Sequence, residues 1–150
     1  MQNVGAATNL FGMASFNDTV IEKFRANDGV LDGYWEGKTT LLLHTPGRKT
    51  GKESVNPLVA APHDGSYLVC GSAGGAPADP QWVANLEALD GPATIELGAE
   101  TLKAEHRVVR PGRDTEWDDL YTTWRAYWPD AADYEKKTDR KFPLAVITVR

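Results

Sequence analysis

Apolar positions along the chain change their period several times, and each change predicts a new element. Val20, Ile21 and Phe24 share one face of a helix expected over Asn17 to Ala26, capped by Asn17 or Asp18. Asn27-Asp28-Gly29 stops it. Leu41-Leu42-Leu43 is a continuous apolar run within Thr39 to Thr45, the pattern of a strand buried on both faces. Pro46-Gly47 turns the chain and Gly51 closes the loop. Ser54 to Ala61 and Tyr67 to Gly71 predict two further strands, separated by the turn Pro62-His63-Asp64-Gly65. A loop over Gly74 to Pro80 leads into a helix from Pro80 to Leu89, where proline suits the first turn and Trp82, Leu86 and Leu89 form the apolar stripe. Thr94 to Leu97 and Leu102 to Val109 predict a hairpin around Gly98. Trp117, Leu120, Tyr121, Trp124 and Trp128 recur at helical spacing, so Arg113 to Trp128 is expected to be a helix. Leu144 to Val149 is apolar on both faces and is expected to lie centrally in the sheet.

Runs of strands with few helices between them predict an α+β fold rather than a parallel sheet of βαβ units. About six short, mainly antiparallel strands and three helices fit a small barrel closed by helices. The length, 150 residues, favours one compact domain over residues 29–150, with residues 1–28 as an N-terminal arm and helix.

Composition narrows the function. The hydrophobic fraction of 41% and charged fraction of 25% are those of a soluble globular protein. A net charge of −5 argues against a general nucleic-acid binder. The lone Cys70 excludes an intrachain disulfide and a thiolate metal site, and it fits a reducing compartment. No secretory signal or apolar span is legible, so a cytoplasmic location is expected. Leu10, Phe11, Met13 and Phe16 leave peripheral contact with the inner membrane face open.

Three segments carry candidate chemistry. Thr45 to Lys52 sets Arg48, Lys49 and Lys52 in a turn of an otherwise acidic protein, where arginine can grip a phosphate or carboxylate and backbone amides can form an anion nest. The bland alternative is a solvated turn. Its glycine spacing is not that of a P-loop. Gly71-Ser72-Ala73-Gly74-Gly75 can hold polar ligand edges, or serve only as a linker. In Pro80 to Leu86, Trp82 offers a flat wall and Asn85 a donor and an acceptor, although a helix tryptophan is usually core. His44, His63 and His106 lack metal-ligand spacing, and no serine sits in a G-x-S-x-G elbow. With no evident nucleophile or base, a bound cofactor is expected to perform the hard step.

Together, Leu41-Leu42-Leu43, Gly47 to Gly51, Val55-Asn56-Pro57-Leu58, Ser72 to Gly75, Pro80-Gln81-Trp82 with Asn85-Leu86, and then Tyr134 and Thr138-Asp139-Arg140 resemble the deazaflavin (F-420)-dependent nitroreductase family. That family is a branch of the flavin and deazaflavin oxidoreductases built on a split β-barrel. The resemblance implies that Arg48, Lys49 and Thr50 hold the phosphate and acidic tail of coenzyme F-420. It implies a groove lined by Ser54, Val55, Asn56, Pro57, Leu58 and Val59. Cys70, Gly71, Ser72 and Ala73 would contact the coenzyme from the next strand, and Gln81, Trp82, Val83, Ala84 and Asn85 from the helix. Trp128, Ala131 and Tyr134 would sit on the side of a small-molecule electron acceptor, with Tyr134 or a water as proton donor. Relatives often carry a basic residue at Ser54 and Ala73, and some nitroimidazole-reducing relatives carry tyrosine at Ala131, which disfavours nitroimidazoles here. The implied activity is reduction of a quinone, enone or other electron-poor molecule by hydride transfer. An FMN-dependent split-barrel oxidoreductase and a non-catalytic deazaflavin-binding module are the alternatives.

Overall fold

The structure, a computed structural model, describes residues 8–150, with side chains from Phe16 onward. It is an α+β fold around one seven-stranded antiparallel sheet. The strands are β1 (Thr40–Pro46), β2 (Glu53–Val59), β3 (Ala61–His63), β4 (Ser66–Cys70), β5 (Ala93–Leu97), β6 (Glu100–Val109) and β7 (Leu144–Val149). The helices are α1 (Thr8–Ala26), α2 (Gln81–Glu87), α3 (Trp117–Tyr127) and α4 (Ala131–Glu135).

The strand order is β2-β1-β5-β6-β7-β4-β3, which puts β2 and β3 at opposite ends of the sheet. Yet only Ala60 separates them in the chain. Strands joined by one residue cannot lie a sheet's width apart, so the sheet curls until its ends meet. β2 then lies against β4 with no ladder between them, and the barrel is split along that seam.

Curling divides the apolar residues into an inside and an outside. Leu41, Leu43, Val69, Ile95, Ala104, Ala145 and Ile147 fill the barrel, and α2 adds Trp82, Val83 and Leu86 to the same cluster. Leu42 points the other way and meets Val20 and Phe24 of α1 together with Leu31. Leu68, Cys70 and Leu144 face outward under Trp117, Trp124 and Trp128. The apolar run 41–43 is therefore buried on both faces, and β7 is central, flanked by β6 and β4.

Several boundaries depart from the sequence expectations. Helix α1 begins nine residues before Asn17, at Thr8, and passes through Asn17 and Asp18 without a cap there. Leu10, Met13 and Ala14 upstream are good helix formers, which extends it. The second expected strand is two, because the chain crosses the seam at Ala60 and β3 pairs with residues 66–68 of β4. The third helix starts at Trp117 rather than Arg113: Gly112 has φ +81, and the Asp114 carboxylate accepts from the Arg110 backbone N–H at 2.8 Å, holding a turn. Helix α4 went unforeseen, since five residues carry too little periodicity.

Candidate functional site

The turn between β1 and β2 is closed by its own backbone. Gly47 N–H donates to Lys52 O at 2.8 Å and Gly51 N–H to Gly47 O at 2.7 Å, with Gly51 at φ +74. The turn is then docked on α2. Both the backbone N–H of Arg48 (3.1 Å) and its Nη1 (2.8 Å) donate to Asn85 Oδ1. Asn85 is 5% exposed, so the oxygen expected to meet a ligand is spent on positioning Arg48. Arg48, Lys49 and Thr50 are exposed. Among the described residues no carboxylate pairs with Arg48, Lys49 or Lys52, whereas Arg25, Arg107, Arg110, Arg113, Arg125, Arg140 and Arg150 all have acidic partners. Among the described residues, nothing compensates the loop's positive charge.

The expected groove residues line up along the seam. Residues opposite one another in the β1–β2 ladder share a face, so Ser54, Asn56 and Leu58 look inward with Thr45, Leu43 and Leu41. Val55 and Val59 look outward and pack toward α1 and α3, and Pro57 is buried on the same side. Across the seam, β3 shields only residues 66–68 of β4, leaving Val69 and Cys70 without a strand on that side. The Thr45 hydroxyl, beside Ser54, is buried without a partner.

Burial differs among the residues expected to meet the coenzyme. Trp82 is 3% exposed and Val83 1%, so both belong to the barrel interior rather than to an open wall. Only Gln81 and Ala84 of that helix segment keep accessible surface. The Cys70 side chain lies in the outer cluster beneath α3, where burial pushes its thiol well up and keeps it protonated. Of Gly71, Ser72 and Ala73, Ala73 alone is half-exposed.

Arg140 shapes that loop. Its guanidinium donates to Gly71 O (3.0 Å), Ser72 O (2.9 Å), Ala76 O (3.0 and 2.9 Å) and Asp79 Oδ1 (2.6 Å). Gly75 completes the fit. At φ +88, a Cβ there would stand 2.7 Å from the Tyr134 carbonyl oxygen. The planar donor fork of arginine matches three converging carbonyls in a way a lysine cannot.

The other expected side of the site is aromatic. Tyr34 meets Trp128 edge to face at 5.1 Å, and Trp35 lies 6.3 Å from Trp128. Trp128 Nε1–H donates to Tyr134 Oη at 3.2 Å, and the Tyr34 and Tyr134 hydroxyls are 2.8 Å apart. Trp128 is 5% exposed and Ala131 is fully buried. Ala131 packs in the outer cluster, and a tyrosine in its place would need that cluster to open. Tyr34, with Trp35, also lines an apolar groove of about 310 Å³ against Phe16, Val20 and Leu31. A second groove, about 400 Å³, lies by Trp117, Tyr121 and Glu135 and shares no lining with the cationic turn. There burial, and then the hydrogen bond to Glu135, hold the Tyr121 phenol protonated.

Residues 17–149 match the sequence profile of the F-420H(2)-dependent quinone reductases. The chain belongs to that family. F-420H(2)-dependent quinone reductases of Mycobacterium tuberculosis strains H37Rv and CDC 1551 are 31% identical to it over 115 residues, 74% of this chain and 74% of each relative. A solved F-420-H2 dependent reductase (FDR-A) superposes with a TM-score of 0.59 at 28% identity, covering 72% of this chain and 92% of that one. A structure described as a domain-swapped dimer gives a TM-score of 0.61 at 27% identity, over 87% of this chain and 97% of that one. As a family member the reductase is an oxidoreductase that uses coenzyme F-420, in agreement with the motif resemblance. None of its described helices is long and apolar enough to cross a membrane. Of the apolar residues noted near the N-terminus, Leu10, Phe11 and Met13 have side chains outside the described residues, and Phe16 is 55% exposed.

The sequence reading missed Tyr34 and the role of Arg140. Gly33-Tyr34-Trp35 was the available signal: two adjacent aromatics in a polar, glycine-bearing stretch before β1.

Proposed function

We propose that this reductase reduces a quinone, holding coenzyme F-420 along the β2–β4 seam with its anionic tail on the Arg48–Lys52 turn. The observation that carries this reading is the uncompensated charge of Arg48, Lys49 and Lys52 on a turn anchored to Asn85. Three unpaired cations at one end of a seam with free strand edges suit a ligand that is flat at one end and acidic at the other. When bound and reduced, the coenzyme supplies a hydride. Ser54, Asn56 and the partnerless Thr45 hydroxyl offer polar contacts, and Leu58 an apolar one. The loop Gly71 to Ala73, held by Arg140, closes the other side.

The acceptor is assigned to the wall of Tyr34, Trp35, Trp128 and Tyr134, whose groove against α1 suits an apolar ring. Tyr134 is assigned as proton donor to the reduced oxygen, in preference to water, because its hydroxyl is already aligned by two partners. Residues 29–150 form the coenzyme-binding unit in this reading, with residues 1–28 as an arm whose end is anchored by Phe24 and by the Arg25–Glu96 pair. The single thiol, Cys70, suits the cytoplasm. Titration of F-420 and FMN against the protein, followed by fluorescence, tests the site. Tighter binding of F-420, weakened by added salt, is expected. Preferential FMN binding would reject the assignment.

A further inference from the structure

Tyr134 is only half-exposed, yet a proton donor in a turning-over enzyme must be reloaded. Its hydroxyl touches two groups. Trp128 Nε1–H is a donor only, so Tyr134 Oη accepts from it. The remaining partner is the Tyr34 hydroxyl at 2.8 Å, which can donate or accept. Tyr34 is 56% exposed, and the Asp130 carboxylate lies near enough to act on its phenol. Its ring is fixed edge-on to Trp128 at 5.1 Å, so the hydroxyl stays in place while its proton can turn.

We propose that Tyr34 is a positioning residue that holds the Tyr134 hydroxyl and passes solvent protons to it. This rests on the quinone-reductase reading above. The balance is simple. The hydride brings two electrons and one proton to the quinone, and Tyr134 delivers the second proton, so its O–H bond breaks as the hydroquinone O–H forms. The Tyr134 oxygen then accepts from Trp128 Nε1–H and from Tyr34 O–H. The Tyr34 proton crosses the 2.8 Å gap, and Tyr34, itself 56% exposed, regains one from water. Partial burial, followed by the hydrogen bond to Tyr134 and the nearby Asp130 carboxylate, holds the Tyr34 phenol protonated. It is therefore loaded at neutral pH.

The test is Tyr34→Phe, which keeps the ring on Trp128 and removes only the hydroxyl. Steady-state reduction of menadione by reduced F-420 is measured in H2O and D2O, with and without a small proton-donating buffer such as imidazole. Loss of one aligned hydrogen bond predicts a fall in kcat of roughly 2- to 10-fold, with KM for the coenzyme unchanged. The solvent isotope effect should rise, and imidazole should restore turnover in the variant but not accelerate the wild type. Unchanged kcat, or a loss that imidazole does not restore, overturns the relay alone. No turnover by the wild-type protein overturns the reductase reading and the relay with it.

Discussion

Replacing Arg140 by alanine should loosen the loop between β4 and α2 more than any other single change near the site. The side chain is 14% exposed and makes five hydrogen bonds, four of them to the backbone oxygens of Gly71, Ser72 and Ala76. Its removal leaves three carbonyls and Asp79 short of a donor, and each such loss costs about 1–3 kcal/mol. Water reaches part of this loop, and Arg110 Nη1 at 3.4 Å still faces Asp79, so the sum is relieved. The expected cost is about 3 kcal/mol, the low end of the range for breaking a buried charged pair, because the Asp79 side chain is 35% exposed. Arg140→Lys should recover the Asp79 contact and one carbonyl, and so about half the loss. Urea unfolding measures the midpoint at constant slope, and hydrogen exchange reports the amides of Gly75 and Ala76, which bond Ser72 O and Ala73 O. If Arg140→Ala costs under about 1 kcal/mol and leaves those amides protected, the loop holds itself and the clamp argument is wrong.

Asn85→Ala should cost about 1–3 kcal/mol in stability, because two Arg48 donors lose their acceptor, and it should also weaken coenzyme binding. Thermal melts with a parallel F-420 titration separate the two effects, and a change in binding alone would show that Asn85 does not anchor the turn. Arg48→Ala should weaken F-420 binding by roughly 1.5–3 kcal/mol and flatten its salt dependence. Equal affinity in variant and wild type would make Arg48 a turn residue only. The attachment of α1 should be acid-sensitive. Hydrogen bonds from Arg25, and then His44, hold the Glu96 carboxyl below its ordinary value of 4.5. A depressed folded-state value means the stabilisation is full above about pH 4.5 and is lost as pH falls through the lower folded value. Glu96→Gln should therefore flatten the acid limb of the stability curve, and an unaltered limb would assign that limb to other groups.

The ladder residues were legible because their signal is local. Leu41 to Leu43 needed only their own run to predict a strand with two buried faces, and Leu144 to Val149 likewise predicted a central one. Where a short element depends on its partners, the pattern fails. Pro62 sits in β3, at the end of the sheet where no further neighbour needs its missing N–H, and reads locally as a turn. Asp114 looked like the first turn of a helix but serves a turn of its own. The motif segments pointed to the coenzyme family, while their internal division of labour was hidden. Asn85 and Trp82 are helix neighbours, and nothing in that spacing says that one is spent on Arg48 and the other on the barrel interior. Arg140 and its loop carbonyls are 64 to 69 residues apart, and Tyr34 and Tyr134 are 100 apart. Contacts of that range come from the curl of the sheet, which no local pattern encodes.

Anaerobic mixing of reduced F-420 with menadione, with and without the protein, tests the central claim most directly through the return of oxidised coenzyme absorbance. The account predicts oxidation that scales with protein concentration, slows in Arg48→Ala at limiting coenzyme, and is accompanied by stoichiometric hydroquinone. Tight coenzyme binding with no acceleration over the protein-free mixture would contradict it and leave a binding module in place of an enzyme.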